Sequence, residues 1–485
     1  MEYVIEKILK ILEENNITVY SLAKSSGINQ STLHMILHFK RTMQPKHFYA
    51  IMESLPISRS AKNELTVLFQ MYSLGHYKYS ANTLILDMLK IFSDYTYGSN
   101  ESTLLNPPPP NTNNISDIST IYTSFNIQPI ISRLIIREMN REISKAYVYV
   151  PMNKPFLNTY IDSVIKQYKN DIKINLFIDL LNTSAETNDN YNLQTFKNIL
   201  PLALSYSDNY EFYYTYVNSI IDESYLTPYP YFIALSDVII FVSADFNEIM
   251  VISDEKVIEK VHNLCDGMLQ KYKKLLEVAA NVPNIVETLV QNQNDCKTHL
   301  CIEYEPCFSM HFTKEMINAV IPKDVFMREQ LVELLNIRLV QLKKITTSIQ
   351  IFNKDSLINF AKTGVIREFP KGYSRPCKKD ERLFILKSLL KYAKSNNHNI
   401  QAINPVNLNI SDCLSLIVQN DSCLQFTVWN DTKLQLKYFS TTQYSICRNF
   451  YDFIKDIVNT NYLYSQKATI TLIEQAIQYV ENIKE

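Results

Sequence analysis

Between Thr18 and Arg41 the chain leaves little choice of shape. Leu22-Ala23, then Gly27-Ile28-Asn29, then Ser31-Thr32-Leu33 and Ile36 fall at the spacing that two short helices crossing over a tight turn require. Gly27 can end the first helix in the left-handed conformation without a Cβ penalty. Asn29 can cap the second through its side-chain oxygen. Leu33, Ile36 and Leu37 share one face at i, i+3, i+4 and turn inward. Gln30, Ser31, His34 and His38 are left on the opposite face. A second helix so presented is the arrangement that enters a DNA major groove.

Charge supports this locally. The whole chain is near neutral, with 48 basic against 49 acidic side chains, so no global field draws it to nucleic acid. From Asn15 to Met52, however, there is no Asp or Glu, while Lys24, Lys40, Arg41 and Lys46 are present with three histidines. An acid-free basic patch lets phosphates approach without repulsion. Phosphate contacts fix register while helix side chains read bases, and Gln is well shaped to bond adenine in a bidentate way. The plain alternative is that Gln30 faces water or caps its helix.

These residues resemble the DNA-binding domain of the lambda-repressor/Cro-like (xenobiotic response element type) regulators. The resemblance covers roughly residues 1–75. It takes in an amphipathic first helix (Ile5, Ile8, Leu9, Leu12) and two helices after Lys40-Arg41, opened by Pro45 and Ser58. It implies double-stranded DNA as partner, Gln30, Ser31 and His34 at base-contacting positions, and binding as a homodimer. With their neighbours they give the expected DNA-binding set Gln30, Ser31, Thr32, His34, His38, Lys40 and Arg41.

The remaining residues are bounded mainly by what is missing. Six scattered glycines cannot build a GxGxxG or GxxxxGK[ST] loop, and neither HExxH nor GxSxG occurs. No charged-then-apolar leader opens the chain and no run nears the ~18 apolar residues of a spanning helix. A cytoplasmic protein without membrane contact is expected. All eight cysteines lie at or beyond Cys265 and are expected to be reduced and mostly buried. Cys296, His299, Cys301, Cys307 and His311 are irregularly spaced for zinc, and His299-Leu-Cys301-Ile-Glu303 alternates like a strand. No metal and no cofactor is expected. The basic run Lys371–Arg382 suits a solvated loop better than an anion site.

The tetraproline segment at 106–114 can be neither helix nor sheet and marks a boundary. Beyond it, helix Ile130–Lys145 leads to strands at 146–151 and 172–178, with a helix near 154–168 between them. A helix at 193–205 leads to a strand at 210–217. Strands within 230–243 form a hairpin, EIMVIS adds another, and a long helix Asp254–Val278 closes the unit. The last third loosely repeats this order: helix 324–344, strand 347–352, helices 355–362 and 379–394, strand 399–403, a hairpin within 423–440, and helices at 443–458 and 465–483. The fold class expected is therefore α+β multidomain, an all-α helix-turn-helix domain followed by a mixed α/β region whose two halves read either as a duplication or as a chance likeness of generic α/β patterns. The boundaries read 1–76, 77–124 as connector helix and Pro-rich linker, 125–280 and 281–485.

That element order resembles the phospholipase-D-like sensor modules attached to some bacterial regulators. Catalytic members need a His-x-Lys in each half, and no His-x-Lys is expected anywhere in the chain. The resemblance implies a catalytically dead fold used for binding. The chain is thus expected to be a DNA-binding transcriptional regulator, not an enzyme. Its α/β region would dimerise, sense a small-molecule or peptide effector, or do both. An enzyme or toxin-like effector with an autoregulatory helix-turn-helix, or a protein-interaction scaffold, are the alternatives.

Overall fold

A computed structural model of the chain describes residues 2–97, 119–152, 172–182, 190–218, 228–279, 281–293, 295–369, 371–430 and 435–483. The helix near 154–168 and the proline run at 106–114 lie outside these residues. By contact the chain divides into two units. One is Met1–Asp87 with Val286–Asp421 and Arg448–Glu485, and the other Met88–Ile285 with Ser422–Cys447.

The N-terminal helices are α1 (Glu2–Glu14), α2 (Val19–Ser26), α3 (Gln30–Leu37), α4 (Pro45–Ser54), α5 (Arg59–Leu74) and α6 (His76–Tyr97). Val4, Ile5, Ile8 and Leu12 of α1 pack with Leu22, Leu33, Ile36, Phe48 and Phe69 into one core. Pro45 opens α4 at a position where its missing N–H costs nothing, and the Ser58 hydroxyl accepts from Ala61 N at 3.2 Å to cap α5.

The α/β region contains two mixed sheets, of eight and seven strands. The first is built from β1 (Ser119–Thr123), β2 (Lys145–Tyr149), β3 (Lys173–Leu181), β4 (Tyr210–Val217), β5 (Tyr231–Ala234), β6 (Ile239–Val242), β7 (Glu248–Ile252) and β8 (Lys273–Lys274), in the order β1-β7-β6-β5-β2-β3-β4-β8. The second uses β9 (Glu277–Ala279), β10 (Thr298–Glu303), β11 (Thr347–Asn353), β12 (His398–Ile403), β13 (Leu414–Gln419), β14 (Cys423–Asn430) and β15 (Gln435–Thr441). Its order is β9-β15-β14-β13-β10-β11-β12. The second order reproduces the first seven strands of the first sheet one for one.

Strand directions repeat too. β2, β3 and β4 run parallel, as do β10, β11 and β12. β5 lies antiparallel to β2 as β13 does to β10. β1 closes against β7 as β9 closes against β15, both antiparallel. The helices that precede β2 and β10, α7 (Ser124–Met139) and α10 (Val282–Asn292), match as well, α8 (Tyr191–Tyr206) lying between β3 and β4. The central strands are apolar along most of their length because helices cover parallel sheets on both faces.

Two expected helices end early. The helix placed at Ile130–Lys145 runs instead from Ser124 to Met139, because Lys145 begins β2 and Ala146 and Val148 are buried there. The helix placed at Asp254–Val278 stops at Lys271 as α9 (Glu255–Lys271). Leu275 N–H then donates to Phe212 O at 2.7 Å, and burying Leu275 and Leu276 in sheet contacts outweighs another helical turn. The remaining elements are α11 (Lys314–Val320), α12 (Arg328–Leu342), α13 (Lys354–Thr363), α14 (Lys379–Ala393), α15 (Tyr444–Ile457) and α16 (Gln466–Asn482). Among the described residues no helix is long and apolar enough to cross a membrane.

Two left-handed glycines differ in what surrounds them. Gly27 (φ 67°) has open space where a Cβ would sit, whereas at Gly364 (φ 69°) it would collide with the backbone of Cys377. Gly27→Ala should therefore cost about 1–2 kcal/mol, the left-handed penalty alone. Gly364→Ala should cost more, because the backbone of Cys377 must also move. Equal losses in urea unfolding would show that the collision is relieved without strain.

Candidate nucleic-acid interface

The turn between α2 and α3 is built by local hydrogen bonds. Thr18 caps α2 by accepting from Ser21 N at 3.1 Å, and Gly27 ends it in the left-handed conformation. The Asn29 side-chain oxygen accepts from Ser31 N at 3.0 Å and Thr32 N at 3.4 Å, opening α3. Leu33 and Ile36 are fully buried and Leu37 nearly so. Past α3, Phe39 takes φ 60°, and Lys40 and Arg41 both donate backbone N–H groups to Met35 O.

All but one of the expected contact residues are open to solvent. Gln30, Ser31, His34, His38, Lys40 and Arg41 are exposed, and Thr32 is half-buried. The His34 and His38 rings lie one helical turn apart, their centroids 4.1 Å from each other. Lys24 and Lys46 are exposed as well. Half-buried His47 has its pKa lowered, first by burial and then by the charges of Lys46 and Arg41. Lys46 and Arg41 therefore both lie close enough to His47 for their charges to act on it. Polar side chains on a helix face, with cations close in sequence and no Asp or Glu between Asn15 and Met52, suit base edges and phosphates respectively.

A second cluster was not legible as a unit. Glu303 at the end of β10 accepts from Ser415 Oγ at 2.6 Å, and Glu305 accepts from Glu368 N at 2.8 Å. Glu368 in turn accepts from Ser309 Oγ at 2.7 Å and pairs with Arg338 at 3.5 Å. Burial, reinforced by the charge of Glu368, pushes Glu303 up to about 7 and Glu305 up to about 8. Burial lowers His299 to about 4, with Arg338 adding to the effect, and lowers His311 to about 3. The alternation of His299, Cys301 and Glu303 along one strand was the available signal. Their partners come from segments far away in sequence.

The cysteine-histidine group has a structural setting. Among the described residues no three His, Cys, Asp or Glu side chains are grouped to hold a metal ion. None of the eight cysteines is in a disulfide and seven are buried, and burial raises the Cys301 and Cys307 thiols well above their ordinary value. In the basic run, Arg375 makes two bonds to the Glu381 carboxylate at 2.8 and 2.7 Å, and Arg382 bonds the carbonyls of Ala361 and Lys362 at the end of α13. His-x-Lys triplets do occur, at His38-Phe39-Lys40 and His76-Tyr77-Lys78, but both lie among the N-terminal helices. Their absence holds only for the two α/β halves.

No family model matches the chain, and no curated protein matches it. Among solved structures it aligns with the archaeal chromatin protein TrmBL2, whose structure "shows a novel mode of DNA binding", at 8% identity and a TM-score of 0.20. That alignment covers 42% of this chain and 60% of the other. NucT from Helicobacter pylori aligns at 8% identity over 39% of this chain and 99% of its own, with a TM-score of 0.21. Phosphatidylserine synthase from Haemophilus influenzae Rd KW20 aligns at 9% identity over 75% and 92%, with a TM-score of 0.24. Likenesses this low carry no argument about this chain's function.

The buried carboxyls make a pH prediction. Glu303 and Glu305 keep their protons in the fold up to about 7 and 8, whereas the unfolded chain releases them near 4.5. Their contribution is full below that unfolded value and lost as pH rises through the folded values. His299 and His311 act oppositely, costing stability as pH falls below about 6.5. The Glu303→Gln, Glu305→Gln double variant should lose less melting temperature than the parent between about pH 6 and pH 9. Parallel profiles would refute the assignment.

Proposed function

We propose that this chain is a sequence-specific DNA-binding transcriptional regulator in which α3 enters the major groove. The observation that supports this reading is the exposed face Gln30-Ser31-His34-His38 on a helix whose opposite face is sealed in the core, flanked by Lys24, Lys40, Arg41 and Lys46. Gln30 and Ser31, in the first turn, are placed to meet base edges, and the cations to meet the flanking backbone.

In this reading the protein belongs with the lambda-repressor/Cro-like regulators and binds paired half-sites as a homodimer. Its α/β region works by binding rather than turnover. An effector that prefers one arrangement of that region changes the population able to engage both half-sites.

Replacing Lys40 and Arg41 by Ala should weaken binding to every duplex and make the salt dependence shallower, by about one to two units of log–log slope. An unchanged slope removes them from the phosphate contacts. Gln30→Ala should relax preference at one base pair, at a cost of roughly 1–3 kcal/mol. Equal losses on specific and random duplexes would make Gln30 structural instead.

A further inference from the structure

Beside the core of the N-terminal helices lies a cavity of about 60 Å³, bounded by α4, α5, α6, the end of α15 and the turn that follows it. A single ordered water needs roughly 10–15 Å³, so the space holds more than a trapped solvent molecule. Phe69, Leu86 and Phe453 supply apolar wall, while Tyr49, Tyr79 and Asp456 supply polar atoms.

The polar atoms are not random. Gln70 Nε2 donates to the Tyr49 hydroxyl at 3.1 Å. Asp456 is the acidic residue in the lining. Its Oδ2 is sealed from solvent and accepts no hydrogen bond among the described residues. Lys78 Nζ stands 3.8 Å from that oxygen, an ion pair too long for a hydrogen bond, and Lys78 is itself half exposed. Asn82, also in the lining, bonds the Asp456 carboxyl group, which leaves Oδ2 as the oxygen that a ligand donor would satisfy. Burial raises the Asp456 pKa and the charge of Asp452 adds to it, while Lys78 and the Asn82 side-chain hydrogen bond oppose. Tyrosine ring faces favour a cation over an anion.

We infer that this cavity binds a small amine with an apolar or aromatic body, its ammonium donating to Asp456 and its body packed between Phe69, Leu86 and Phe453. Such a ligand also has a route to the DNA-facing surface. Tyr49 belongs to α4, which packs against α2, and its ring meets Phe48 at 5.4 Å and Phe69 at 6.3 Å. A ligand seated on Tyr49 therefore biases the position of α4, the helix joined to α3 by residues 38–44. This regulatory half rests on the DNA-binding reading; the ligand site itself does not.

The test uses the full-length protein and benzylamine, with benzyl alcohol and benzoate as neutral and anionic counterparts. Calorimetry should show saturable benzylamine binding at least tenfold tighter than benzyl alcohol, with no benzoate binding. Asp456→Asn should bring benzylamine down to the level of benzyl alcohol. No saturable benzylamine binding, or equal affinity for amine and alcohol in the parent protein, overturns the site without depending on how the variant folds. Benzylamine should also change affinity for a duplex at least threefold, and Asp456→Asn should abolish that change. Amine binding with unaltered duplex affinity overturns the coupling. A protein that binds benzylamine as expected but no duplex under any condition overturns the DNA reading and its coupling, and supports the amine site alone.

Discussion

Burial of Leu33, Ile36 and Leu37 fixes the rotation of α3 about its own axis, and the functional account depends on that. Each such side chain gains about 1.5–3 kcal/mol on leaving water. Turning the helix by half a turn would expose all three and bury Gln30 and His34 without partners. The outward face is thus a consequence of the core, and the Asn29 cap sets where it begins. Phe48 and Phe69, stacked 4.0 Å apart, pin α4 and α5 behind it.

The helical part was legible because its determinants are local. Gly27, Asn29, Pro45 and Ser58 each act within a few residues of their own position, and the structure uses all four at helix ends. Strands β2, β3 and β4 were legible as apolar runs between helices, and the hairpins from their spacing. What the pattern hides are elements defined by partners. Leu414–Gln419 becomes a strand through its pairing with β10, and Lys273-Lys274 joins a sheet because Tyr213 and Tyr214 offer an edge.

Sites assembled from distant segments were likewise invisible. Glu303 reads as an ordinary alternating strand residue until Ser415, Glu368 and Arg338 are brought to it. The cavity at Tyr49 needs Tyr79 and Asp456, hundreds of positions apart in part, so no spacing rule could announce it. By contrast, the repeated strand order of the two sheets, weak as residue identity, is plain as topology: seven strands recur in the same order. Sharing an architecture does not impose a shared chemistry. Half-buried Asp179, on β3 of the first half, accepts from Tyr149 Oη at 2.5 Å, whereas the second half seals its carboxylates with Arg338 nearby.

Selection of bound fragments from a random duplex pool, with the full-length protein at near-physiological salt, tests the central claim most directly. The account predicts an enriched inverted repeat whose half-sites lie about one helical turn, or a multiple of it, apart. Recovery of unenriched fragments, held only by weak binding that salt abolishes, would contradict it.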